Sequence, residues 1–259
     1  WGALLGLQSL RMLLEISHTE TQIHAAVHLP ATPLEERPAV GHRAVRIPPT
    51  LELPEIRHAM DKCAQLKYNV VHWAVLTDGE LTQPMGVVRM LVQYAYQRGL
   101  QVMFELTGWG DATPAQQKAF LGIFMQLSTA PLVHVGSQEL SLPADMPHQL
   151  VRTSRQAGTV HEAPLDNWQA GDLVRLPAPT KDTGYRQLAD VALPGIRGAA
   201  VELPANPLAL LQVAALLWSP TARASTHADP RLHAAVAALW YDHGVESTQA
   251  HAMDLEALR

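Results

Sequence analysis

From residue 42 onward two apolar rhythms take turns. Short runs at 42–47, 69–76 and 100–106 have strand character. Between them the apolar positions widen to helical spacing. After Pro54, residues Ile56, Met60, Cys63 and Leu66 fall on one face. In 85–98, Val88, Leu91, Val92 and Ala95 form a second stripe, and Gly99 follows as a natural C-cap. Thr113-Pro114 starts a third helix that carries Phe120, Ile123, Phe124 and Leu127, and a strand at 131–137 comes next. Alternation of this kind requires a parallel sheet, because each crossover returns the chain to the same end.

The remainder is less regular. Residues 3–14 read as a short amphipathic helix, and 20–47 alternate like strands interrupted by Pro30, Pro33 and Pro38. In the second half we expect a helix near 145–157 and strands at 158–163, 172–177 and 196–202. Residues 184–194 read as helix or degraded strand. Helices start at Asn206-Pro207 and Asp229-Pro230. The chain has 259 residues, and an eight-fold barrel needs roughly 250. The expected fold class is therefore α/β, a (β/α)8 TIM-type barrel with a degenerate second half. We expect residues 1–36 to form a helix-and-hairpin lead-in, readable as the remnant of a preceding domain, and 37–259 to form the barrel domain.

Composition narrows the chemistry. A net charge of −5 with no basic stripe argues against nucleic acid as a partner. No apolar run reaches membrane-spanning length, so no membrane partner is expected. The single cysteine, Cys63, precludes an internal disulfide and a thiolate metal cluster. His24 and His28 share a strand face but stand far apart along it, so no metal pair is expected there. No cofactor is expected. The chain starts at Trp1 without Met, which reads as a trimmed or processed piece. Compartment and oligomeric state are not encoded in these patterns.

The run Leu132-Val-His-Val-Gly-Ser-Gln-Glu139 delivers a Gln-Glu pair to the C-terminal end of a strand, where barrel enzymes collect reactive groups. It resembles the His-x-Gly-Gly-Asp-Glu motif of family 20 glycoside hydrolases, the β-N-acetylhexosaminidases. Leu66-Lys-Tyr-Asn-Val-Val-His72-Trp73, followed by Leu76-Thr77-Asp78, resembles the family's Lys-x-Asn-x-x-His-Trp-His-Leu-Thr-Asp block. Weaker likenesses lie in Trp1–Leu10, in Arg37–Arg43, in Tyr94–Glu105, and in Gly198–Glu202 with Leu216–Ser219. Together they cover roughly half the chain in ordered blocks.

That resemblance implies a barrel that binds a glycan containing N-acetylhexosamine and cleaves it by substrate assistance. The sugar's own acetamido oxygen attacks the anomeric carbon, so no protein nucleophile is needed. It implies Glu139 as general acid beside Gln138. It further implies Arg43, His72, Asp78, Glu105, Trp109, His134 and Glu202 as substrate-binding residues. Arg43 would hold sugar hydroxyls, and Trp109, in Thr-Gly-Trp-Gly-Asp, would offer a stacking face. The sequence also departs from the family pattern. Gln138 replaces the Asp that orients the acetamide, Ala74 the second His of His-Trp-His, and Pro48 the Asp after the strand-one arginine. The loop after Asp78 is shortened, and Trp168 is the remaining candidate for a late aromatic wall. Gln138 can accept a hydrogen bond but carries no charge. Losing one preorganised transition-state contact costs about 10²–10³ in rate. Glu162, Asp166 and Glu202 are carboxylates that could replace it.

Each residue also has a plainer role. Glu139 can favour a helix start, His72 can be a core histidine, and Asp78 can shape a turn. Arg43 can be an ion-pair partner, Trp109 can pack over the rim, and Cys63 belongs to the core. Two further readings stay open: a catalytically inactive barrel that binds a glycan or protein partner, and a barrel hydrolase with a different carboxylate pair.

Overall fold

The computed structural model describes residues 38–125, 132–135, 148–177 and 195–203, together with 210, 213, 214 and 217. The lead-in at 1–36, residues 184–194, the last helix and the pair Gln138-Glu139 lie outside the described residues.

Nine strands form one sheet: β1 (His42–Ile47), β2 (Val70–Thr77), β3 (Glu80–Leu81), β4 (Gln101–Leu106), β5 (Leu132–His134), β6 (Gln149–Arg152), β7 (Val160–Pro164), β8 (Leu173–Leu176) and β9 (Gly198–Glu202). Strand β3 is a short antiparallel return on β2. The other eight are parallel, and β1 pairs with both β2 and β9, so the sheet closes on itself. The fold is a TIM-type α/β barrel.

Three helices among the described residues pack outside it: α1 (Leu53–Gln65), α2 (Met85–Gln97) and α3 (Pro114–Phe124). Their ends follow from local chemistry. Thr113 Oγ1 accepts from the Gln116 amide at 3.3 Å, and Gln116 Oε1 accepts from the Thr113 amide at 2.8 Å, a reciprocal capping box. After α2 the amides of Gly99 and Leu100 bond back to Tyr96 and Ala95, each at 2.9 Å, with Gly99 at φ 72°. The buried stripes Ile56, Met60, Cys63 and Val88, Leu91, Val92, Ala95 are those expected from spacing. They pack on the outward side chains of the strands, including Val45, Val71, Trp73 and Phe104. Burial also raises the Cys63 thiol pKa, so this cysteine is a core residue.

One expected element is corrected. In place of a helix across 145–157, residues 149–152 form β6, which pairs with β5 on one side and β7 on the other. This is the strand needed to complete the circle. The strand's hydrogen-bonding neighbours decide its state, and its own short, polar-flanked pattern does not.

Strand alternation sorts every side chain into inward or outward. Ala44, Val70, Met103, Val151, Val160, Leu173 and Ala200 form a separate buried cluster inside the barrel, toward the N-terminal ends of the strands. One step further along the same strands, the inward residues turn polar.

Candidate functional site

That polar layer lies one inward step from the apolar cluster, on the side of the strands' C-terminal ends. It is formed by Arg46 on β1, His72 on β2, Glu105 on β4, His134 on β5, Glu162 on β7, Arg175 on β8 and Glu202 on β9. Contacts between strands that are not neighbours show that these side chains meet in the interior. Arg46 donates from Nε to Glu105 Oε2 at 3.0 Å and from Nη2 to Oε1 at 2.5 Å. Its Nη1 donates to Glu202 Oε1 at 2.9 Å. Arg175 donates from Nε to the same Glu202 oxygen at 2.6 Å. Fork-on-fork geometry of this kind is among the stronger charge-assisted contacts. Glu105 holds the Arg46 guanidinium charged: burial opposes the charge, and the carboxylates of Glu105 and Glu202 outweigh it.

On the other side, His134 Nε2 is 2.7 Å from Glu162 Oε2, and His72 Nδ1 is 4.0 Å from Glu162 Oε1. His72 Nε2 is 3.4 Å from Glu105 Oε2, and the two imidazole rings are 5.1 Å apart. Burial drives the His72 pKa well below the ordinary value, and His134 and Arg46 push it the same way against Glu162. Burial would raise the Glu162 pKa. The adjacent His134, with His72 and Arg175, reverses this and lowers it to about 2, so the carboxylate stays ionised. The layer thus holds negative and positive groups a few ångströms apart, buried around His72, His134, Glu162 and Glu105 and open to solvent at Arg175 and Glu202.

Of the residues expected at a site, His72, Glu105, His134 and Glu202 are brought together here. Arg43 is not among them. Its parity places it on the outer side with Val45 and Ile47, and its Nε and Nη1 donate to the carbonyls of Lys67 at 3.0 Å and Val40 at 2.8 Å, near the N-terminal ends of the strands. The inward arginine of β1 is Arg46. Asp78 is exposed at φ 51° and, with Gly79 at φ 80°, makes the two-residue turn joining β2 to β3. This turn is the shortened loop. A Cβ on Gly108 would come within 2.3 Å of the Gly79 amide nitrogen, so the two loops touch backbone to backbone.

Trp109 is corrected as well. It is buried, not an exposed platform, and it stands edge-on to Phe120 at 5.6 Å, with its carbonyl accepting from Gln117 Nε2 at 3.0 Å. An indole flanked by glycines is free to fold inward, and burying a large aromatic surface outweighs leaving it in water. Trp168 is half-buried against the outer core. Among the three substitute carboxylates, Glu162 and Glu202 face the interior and Asp166 is exposed. Arg46 and Arg175 were missed from sequence. Their signal is a Val-Arg-Ile or Val-Arg-Leu run, a cation one residue before the end of an apolar strand.

No protein-family model and no curated protein matches the chain. Solved structures do. The family 20 β-N-acetylhexosaminidase of Streptomyces coelicolor A3(2) superposes with a TM-score of 0.56 at 17% identity, over 95% of this chain and 77% of that one. The N-acetyl-β-hexosaminidase of Streptomyces plicatus gives 0.52 at 17% identity, over 79% and 69%. The likeness is one of fold. The family 20 exo-β-N-acetylglucosaminidase of Vibrio harveyi gives 0.48 at 10% identity over 86% of this chain, which spans only 59% of that protein's length.

Proposed function

We propose that this barrel is a glycoside hydrolase of the β-N-acetylhexosaminidase type that receives a terminal N-acetylhexosamine at the C-terminal ends of its strands. The observation that carries the reading is the polar layer, where two arginines, two histidines and three glutamates converge at the barrel end used by enzymes of this fold. The TIM-type barrel shared with family 20 enzymes supports it, as do the sequence blocks around His72 and His134 that supply inward residues.

In this reading Glu139 protonates the departing oxygen while the substrate's acetamido oxygen attacks the anomeric carbon. Gln138 orients the acetamide by accepting its N–H, without the charge an Asp would add. Arg46, Glu105 and Glu202 bind ring hydroxyls, exchanging part of their mutual pairing for the sugar. Turnover is accordingly slow, about 10²–10³ below an Asp-Glu site. The test is release of a chromogenic aglycone from an aryl N-acetylglucosaminide, with the expected signal lost on Glu139→Gln and raised on Gln138→Asp. Absence of release across common aryl glycosides would sink it.

A second reading, a glycan-binding barrel without turnover, is favoured by one observation. Each glutamate of the interior layer already has a basic side chain against it, while position 138 lacks the anion that stabilises the intermediate. Saturable sugar binding with no aglycone release is its signature.

A further inference from the structure

The charged layer opens to solvent in one direction. Side-chain exposure rises from 9% at Glu105 through 20% at Arg46 and 30% at Glu202 to 39% at Arg175. A ligand entering the mouth of the barrel therefore meets Arg175 and Glu202 before the rest of the layer. Two guanidiniums converge there on one atom. Glu202 Oε1 accepts from Arg46 Nη1 at 2.9 Å and from Arg175 Nε at 2.6 Å, and Arg175 Nη2 lies against the same oxygen.

Like charges gathered around one point repel, so the arrangement requires an anion between them. Glu202 supplies it, yet it is the less firmly held of the two carboxylates on Arg46. Glu105 takes that guanidinium through both oxygens and is nearly buried. Glu202 ends β9, and the Leu203 amide just beyond it donates to the Arg46 carbonyl at 3.1 Å. The backbone is thus pinned to β1 while the side chain is free to turn toward water. A partly exposed ion pair is a weak one, so a ligand that brings its own carboxylate displaces Glu202 at small cost. Sugar hydroxyls need a donor and an acceptor, which Arg46 and Glu105 already provide. Arg175 adds a second guanidinium, whose planar fork suits a carboxylate.

We propose that Arg46 and Arg175 form a site for the carboxylate of an acidic sugar, a hexuronate, and that Glu202 fills this site from within the chain. This assignment rests on the reading of the mouth as a sugar site and narrows the class of sugar it takes.

The experiment is calorimetric titration of the full chain with three sugars. They are N-acetylglucosamine, N-acetylglucosaminuronate, in which the primary alcohol is oxidised to a carboxylate, and the sulfate ester of that same alcohol. The uronate should bind about tenfold more tightly than the neutral sugar, roughly what one charge-assisted hydrogen bond contributes. The advantage should shrink as salt is raised. Arg175→Gln should abolish it while N-acetylglucosamine affinity stays within about twofold, since charge complementarity sets selectivity more than the hold on neutral groups. Glu202→Gln removes the charge of the internal competitor, and should raise uronate affinity about tenfold further without raising that of the neutral sugar. Should Arg175→Gln not fold, Arg175→Lys keeps the charge without the fork and should retain only part of the advantage.

A uronate that binds no better than N-acetylglucosamine overturns the proposal. So does an advantage that survives in full in either Arg175 variant, or a Glu202→Gln variant that binds the uronate less tightly. Tighter binding of the sulfate ester than of the uronate overturns the carboxylate assignment. Turnover is not required: failure to release an aryl aglycone sinks the hydrolase reading alone. If none of the three sugars binds, the sugar site falls and this assignment falls with it.

Discussion

The barrel interior has two storeys built from the same strands, and they obey different rules. The lower one is apolar and made largely of small residues: Ala44, Val70, Met103, Val151, Val160, Leu173 and Ala200. The upper one, one inward step along, is almost entirely charged or imidazole. Dispersion and exclusion of water hold the lower storey, and these are tolerant of chemistry but not of volume. Mutual neutralisation holds the upper one, which tolerates neither a missing partner nor a wrong proton. Enzymes of this architecture keep stability and chemistry at opposite ends of the strands, and here the boundary between them is one residue pair wide.

Single changes can break that division. Met103→Ala removes the longest side chain of the lower storey. It should cost about 2–5 kcal/mol in thermal or denaturant unfolding, with kcat per folded molecule unchanged. A fall in kcat would show that the storeys are coupled. Arg46→Leu strips a shared cation from Glu105 and Glu202. Because its side chain is 20% exposed, we expect about 3 kcal/mol of destabilisation, and sugar binding should weaken at the same time.

Acid should act on both ends, with the same sign. Burial lowers the His42 pKa from 6.5 to about 4, with Arg197 and Arg43 adding to it. The folded chain therefore binds fewer protons than the unfolded one. That contribution is whole above pH 6.5 and is lost as pH falls toward 4, up to about 3 kcal/mol. Glu162, ordinarily near 4.5 and here about 2, adds a second loss between those values. Stability measured against pH should then flatten in the upper window for His42→Asn and in the lower one for Glu162→Gln. A parent curve that is already flat between 6.5 and 4 would refute the first. The smallest effect is expected at Gly198, where an added Cβ would come within 2.4 Å of His42 Cβ and its carbonyl oxygen. Gly198→Ala should cost about 1–3 kcal/mol and leave the upper storey intact.

How much of this could be read in advance follows the same division. The helices after β1, β2 and β4 were legible because each carries its own stripe and its own stop signals. Strand β6 was not. Gln149-Leu-Val-Arg152 is too short to show a period, and Met146, Leu150 and Val151 satisfy a helix equally well. His72, Glu105, His134 and Glu202 were found through ordered blocks of resemblance, which carry the parity of their strands with them. Arg46 was overlooked in favour of Arg43 because a strand with cations at both parities does not say which faces in. That answer comes from closing the sheet. For Trp109 the sequence allowed both a stacking face and packing over the rim, because flanking glycines say nothing about where the ring finds shelter; the buried ring against Phe120 decides for packing.

The two arginines of β1 stand three positions apart and so face opposite ways. Moving that strand by a single place against its neighbours would exchange them. Val45 and Ile47 would enter the ion-pair layer, and a guanidinium would be driven among the helices. The insertion or deletion of one residue inside β1 is therefore not a local injury, since it would cost the protein its packing and its charge pattern together. The spacing of six residues has become a shared constraint on folding and on whatever the barrel mouth binds.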